Sequence, residues 1–169
     1  MVNPKLLWSF AIMVGSLALL ATLAEAQAAR TANANAKAQT QFINPEGLNQ
    51  PTGYTHVVIA QPGKLVYISG QVSLNAKGEI VGRGDLRTQV TQVMENLKTA
   101  LAAAGAAPRD IVKVNYYAVN LKPDLLPIIR EVRNKYFSTD HPPASTLVGV
   151  TALAHEDFLI EIEAVATVK

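Results

Sequence analysis

The chain of 169 residues contains no cysteine. Disulfides, iron–sulfur clusters, thiol nucleophiles and thiolate zinc sites are therefore excluded. The compartment stays open, because an exported protein need not carry disulfides. A basic stripe is lacking too. The net charge is +2, and the Lys and Arg residues from Lys64 to Lys169 are scattered singly, so no row of phosphates could be neutralised. Glycine-rich nucleotide loops are missing: no lysine closes a glycine-bounded run, and Gly82-Arg83-Gly84 is followed by Arg87 where a dinucleotide fingerprint needs glycine. No G-x-S-x-G elbow surrounds Ser69. His56, His141 and His155 lack metal-ligand spacing, so no metal site is expected.

What is present begins with a leader. Lys5 precedes the uncharged stretch Leu6–Leu23 and then Ala24-Glu25-Ala26. A positive start, an apolar run and a small-x-small exit describe a secretory signal peptide over residues 1–26, cut after Ala26 or Ala28. The alternative is an uncleaved anchor, since the apolar run sits at the lower edge of a membrane span. A periplasmic or secreted location is expected, without stable membrane association once the leader is cut. Residues 27–41 lack any large apolar side chain and read as a disordered linker. Residues 42–169 are left as one domain.

Within that domain, His56–Ala60 and Lys64–Ser69 are β-rich runs around Gln61-Pro62-Gly63, which predicts a hairpin. A small strand is expected at Glu79–Val81. Asp85 suits an N-cap for a helix in which Leu86, Val90, Val93, Leu97 and Leu101 recur at helical spacing, ending at Gly105. Arg83-Gly84-Asp85 spells an adhesion tripeptide, but a turn into that helix accounts for it. Ile111–Val119 reads as a strand. Asp124 can cap a second helix with Leu125, Ile128, Ile129 and Val132 inward. Ala144–Ala152 and Phe158–Val168 are the last strands. The order predicts an α+β domain: a mixed sheet of about six strands with two helices on one face.

The final strand is the most informative. Phe158, Ile160, Ile162, Ala164 and Ala166 alternate onto one face, and Glu161 and Glu163 share the other with Leu159 and Val165. That reverse face is either solvated or partly covered by a partner.

Tyr67-Ile68-Ser69-Gly70-Gln71, Ala104-Gly105 leading to Asp110-Ile111-Val112-Lys113, Pro142-Pro143-Ala144-Ser145 and Ile160-Glu161-Ile162-Glu163-Ala164 stand in the order and spacing of one family. On these segments the chain is identified as a member of the RidA/YjgF family, with Thr52-Gly53-Tyr54 resembling its N-terminal Gly-Pro-Tyr element. The resemblance implies a chorismate-mutase-like fold and a homotrimeric barrel with small-molecule clefts between subunits. It also implies cofactor-free hydrolysis of 2-enamine and 2-imino acids to 2-keto acids and ammonia. By the same resemblance Tyr54 and Ser69 line the cleft and Glu161 positions water. The family pattern Pro-Ala-Arg-Ser reads Pro143-Ala144-Ser145-Thr146, which sets Ser145 in the place of the arginine that holds the substrate carboxylate. Arg130, on the second helix, is the candidate replacement cation; the alternative for it is a surface ion pair. Three functions follow: an imine/enamine deaminase of altered range, a non-catalytic metabolite binder, and an endoribonuclease or translation inhibitor. The last is disfavoured by the leader and the lack of a basic groove.

Overall fold

The computed structural model describes residues 22–31 and 39–168. Most of the predicted leader and residues 32–38 lie outside the described residues. Contacts divide the chain into Met1–Gln39 and Thr40–Lys169. In the first unit residues 22–31 form a helix, α1. Residues 27–31 of the expected linker fall in that helix, consistent with the high helix propensity of an alanine-rich stretch. Among the described residues, no helix is long and apolar enough to cross a membrane.

The second unit holds six strands and two longer helices. They are β1 (Gln41–Ile43), β2 (Val57–Ile59), β3 (Lys64–Gln71), α2 (Leu86–Ala103), β4 (Ile111–Val119), α3 (Leu126–Arg133), β5 (Ala144–Val150) and β6 (Ile160–Val168). The strands form a four-stranded sheet ordered β3-β6-β4-β5 and a two-stranded ribbon β1-β2. In the larger sheet β4 and β5 run parallel and the other pairs antiparallel, so the sheet is mixed as expected.

Several elements differ from the sequence reading. The hairpin around Gln61-Pro62-Gly63 is not made: β2 pairs with β1 and β3 with β6. Turn residues signal a reversal but not a partner, and β6 offers β3 a long alternating face to bury against. Gln41, assigned to the linker, opens β1. Glu79–Val81 contributes only an isolated bridge, Leu74 to Ile80. Asp124 does not cap α3; it lies in a 3-10 turn, Pro123–Leu125, that leads into the helix.

The first long helix follows its pattern. Asp85 is the N-cap, its carboxylate accepting from the Thr88 N–H at 3.2 Å and the Thr88 hydroxyl at 2.6 Å. Arg83 pairs with Asp157, so the tripeptide is a turn into a helix. Val90, Val93, Met94, Leu97 and Leu101 pack onto Ile160, Ile162, Ala164 and Ala166 of β6 and Val114 and Ala118 of β4, and α3 adds Ile129 and Val132. Gln89 is fully buried but satisfied. Its amide donates to the carbonyls of Gly82 (3.1 Å) and Asp157 (2.7 Å) and accepts from the Leu159 N–H (2.9 Å), locking α2 to the start of β6.

Candidate functional site

The reverse face of the sheet carries the acidic pair. Cross-strand register sets Asn115 opposite Glu163 and Tyr117 opposite Glu161, so all four lie on the side away from the helices. The two carboxylates are treated differently. Glu163 accepts from Asn115 Nδ2 at 2.7 Å and from the Tyr117 hydroxyl at 2.9 Å. These bonds hold its carboxyl below the usual range, while the Tyr117 phenol is pushed up chiefly by the same bond. Glu161 makes no hydrogen bond or ion pair among the described residues.

A bulge positions Glu161. Between Ile68 and Gln71 the β3–β6 register gains one residue, which lifts Ser69-Gly70 out of the ladder. Gly70 then lies directly on the Glu161 side chain: a Cβ built there would stand 1.7 Å from Oε1. Here glycine serves close approach. Ser69 lines a cavity of about 380 Å³ with Tyr67, Lys113, Asn115 and Glu163. Lys113 donates to Thr146 at 2.6 Å, and burial pulls its ammonium below the ordinary lysine range.

The other predicted residues gather at the β5 side. Thr55 is buried and anchored to the loop before β5: its hydroxyl donates to the Pro142 carbonyl at 2.6 Å and its N–H to the Pro143 carbonyl at 3.3 Å. This clamp brings Tyr54 beside Ser145. The two share a cavity of about 180 Å³ with Thr52, Tyr116, Arg130, Arg133 and three apolar side chains, Leu126, Ile129 and Leu147. Tyr54 stands edge-on to His56 (5.1 Å between centroids), and its hydroxyl accepts from Asn49 at 3.5 Å. Arg130 is exposed and makes no ion pair among the described residues; on α3 it is Glu131 that pairs, with Arg87 at 2.7 Å.

Tyr54, Ser145 and Arg130 are therefore brought together; on the other face Ser69 lines a cavity with Glu163, and Glu161, which does not line that cavity, lies against the adjoining Gly70. Ser145 is register-paired with Val114 and points to the helix side, opposite to Glu161. Sequence reasoning missed Tyr116 and Arg133. The Tyr116 phenol is 2% exposed with no hydrogen-bond partner. Burial pushes it up to about 12, and the nearby Arg133 guanidinium pulls the other way. A signal for Arg133 existed: it lies four residues after Ile129 on the apolar stripe of α3, where a charge is out of place. Among the described residues, no group of three or more His, Asp or Glu is placed to hold a metal ion.

The elements and these two clusters define a small two-layer α+β domain with a cavity on each side of one sheet. The chain belongs to the family described as Endoribonuclease L-PSP, the RidA/YjgF family, whose sequence model matches residues 47–168. A RutC family protein of Pyrococcus horikoshii is 38% identical over 128 residues, covering 75% of this chain and 96% of that protein. The 2-iminobutanoate/2-iminopropanoate deaminase of Dermatophagoides farinae is 34% identical over 121 residues, covering 71% and 90%. Among solved structures, the Rid-family protein of unknown function YyfB from Yersinia pestis is 40% identical, with a TM-score of 0.72, covering 77% of this chain and 99% of that one.

Proposed function

We propose that this protein hydrolyses small reactive imines and enamines to the carbonyl compound and ammonia. The observation that carries the reading is the contrast on β6: Glu163 is committed to Asn115 and Tyr117, and Glu161 is held against Gly70 with its carboxylate free. A carboxylate without partners is available as a general base. It takes a proton from water as the water oxygen bonds to the imine carbon. The C=N electron pair moves to nitrogen, which gains a proton. The carbinolamine then collapses: Glu161 removes its hydroxyl proton and passes it to the amino nitrogen, the C=O forms, and the C–N bond breaks to release ammonia.

Two further elements belong to the proposal. The first is a homotrimer, in which the Ser69–Glu161 cluster of one protomer meets the Tyr54–Ser145 cluster of its neighbour. It is supported by Leu65, Tyr67 and Val148, large side chains exposed on the reverse face at 55%, 75% and 42%. The second is export by cleavage of the leader, supported by Lys5 and the apolar run after it; sequencing the mature N-terminus tests it.

Freshly generated 2-iminopropanoate, trapped with semicarbazide, is the assay. The wild type should deplete the imine faster than buffer, and Glu161→Gln should lose about a hundredfold or more. A wild-type rate equal to buffer would overturn the reading. One feature favours a second reading, a metabolite binder without turnover: Ser145 stands where the family resemblance expects arginine. That reading holds if the protein is inert toward the imine yet binds a small 2-keto acid.

A further inference from the structure

Among the described residues, Arg133 is the one charged side chain that is buried, at 8% exposure. It has no carboxylate within ion-pair distance among the described residues. The polar group it approaches is the Tyr116 phenol, itself buried and without a hydrogen bond of acceptable geometry. Both line the same cavity of about 180 Å³. A largely buried guanidinium without a carboxylate and a buried hydroxyl without a partner therefore line one space.

Such an arrangement favours an anion. A buried cation needs an opposing charge, and a buried hydroxyl needs a partner. The surroundings maintain the arrangement. A Cβ on Gly53 would stand 1.7 Å from an Arg133 guanidinium nitrogen, so glycine at φ +74° leaves the space the guanidinium fills. Thr55 fixes the Gly53-Tyr54 segment to the loop before β5. Ser145 is small, and the apolar walls of Leu126, Ile129 and Leu147 limit competition from water. The volume, about 180 Å³, is enough for a short keto or imino acid.

We infer that this cavity is a carboxylate subsite in which the Arg133 fork grips the anion and the Tyr116 hydroxyl donates a further hydrogen bond. A planar guanidinium suits a carboxylate because two parallel N–H donors match its two oxygens. Arg130, the replacement cation expected from sequence, lines the same cavity but is exposed, so solvent screens its charge more than that of Arg133. The inference rests on the reading of this cavity as part of the ligand cleft, and it gives that cleft a selectivity: ligands with a carboxylate on a short chain, in preference to uncharged imines.

Calorimetric titration with 2-oxobutanoate and with its uncharged amide tests this without requiring turnover. The wild type should bind the acid at least about 30-fold more tightly than the amide. Arg133→Gln should weaken the acid by about 30-fold or more and Tyr116→Phe by about tenfold, and Arg130→Gln should weaken it less than Arg133→Gln does. Equal binding of acid and amide, or no binding of the acid, overturns the subsite; so does a loss on Arg130→Gln that Arg133→Gln does not share. If Arg133→Gln fails to fold, the acid–amide comparison and the near-isosteric Tyr116→Phe still decide. Carboxylate binding without imine hydrolysis would remove the proposed activity and leave the subsite standing. Hydrolysis with unchanged KM in Arg133→Gln would do the reverse.

Discussion

Gly70→Ala separates the position of the Glu161 carboxylate from its presence. The new methyl would start 1.7 Å from Oε1 and 2.6 Å from Cδ, well inside the 3.0 Å that real Cβ contacts respect. The obstructing atoms end a flexible side chain, so the carboxylate must yield, by about 1.3 Å or more, while the backbone stays. Gly70 is not among the glycines with positive φ, so alanine meets no backbone strain there. Replacing glycine in a strand tends to stabilise by about 0.5–1 kcal/mol, which offsets the cost of an unfavourable Glu161 rotamer. Stability should therefore stay within about 1 kcal/mol of wild type. Rate should not, because a displacement of about 1 Å at a catalytic group costs about a hundredfold. The checks are thermal melting and kcat/KM for 2-iminopropanoate beside Glu161→Gln. An unchanged melt with an unchanged rate would refute the placement of the base on β6.

Alkaline denaturation should report Tyr116. Its phenol is raised from 10.0 to about 12, so the protonated form is favoured in the fold; its contribution is intact below pH 10 and is lost as pH rises toward 12 and beyond. The loss reaches about 3 kcal/mol, and Tyr116→Phe should show a shallower decline in denaturant midpoint between about pH 10 and 12; identical slopes would count against it. Gln89→Leu strands the carbonyls of Gly82 and Asp157 and the Leu159 N–H, and should cost about 3–5 kcal/mol in urea unfolding; a loss below about 1 kcal/mol would show the ties are dispensable. Tyr67→Glu, at a site 75% exposed, should leave the protomer's melting intact but convert the proposed wild-type trimer to monomers in sedimentation; a trimer that persists, or a wild type that sediments as a monomer, would refute the proposed interface.

Legibility in the sequence followed the range of the interactions. The alternation from Phe158 to Ala166 is a period-two signal within one strand, and each member of that set is buried. The helix from Leu86 carried both its cap and its stripe locally. Pairing was less legible: β2 joins β1, a strand of three residues in a stretch that looked featureless, and turn chemistry at Pro62-Gly63 says nothing about that choice. The grouping of Tyr54 with Ser145 depends on Thr55 bonding to carbonyls 87 and 88 residues away, which no spacing rule encodes. Arg133 was different in kind. Its position on an apolar stripe was visible, but the cavity it lines forms only where α3 meets Tyr116 of β4 and Ser145 and Leu147 of β5.

The clamp at Thr55 and the bulge at Gly70 face opposite ways through one sheet, so a single copy presents its two polar clusters back to back. If turnover needs both, a protomer cannot complete itself, and inactive variants can rescue each other. Chains carrying Glu161→Gln co-assembled at parity with chains carrying Arg133→Gln would recover about a quarter of the junctions, each made from the intact half of either parent.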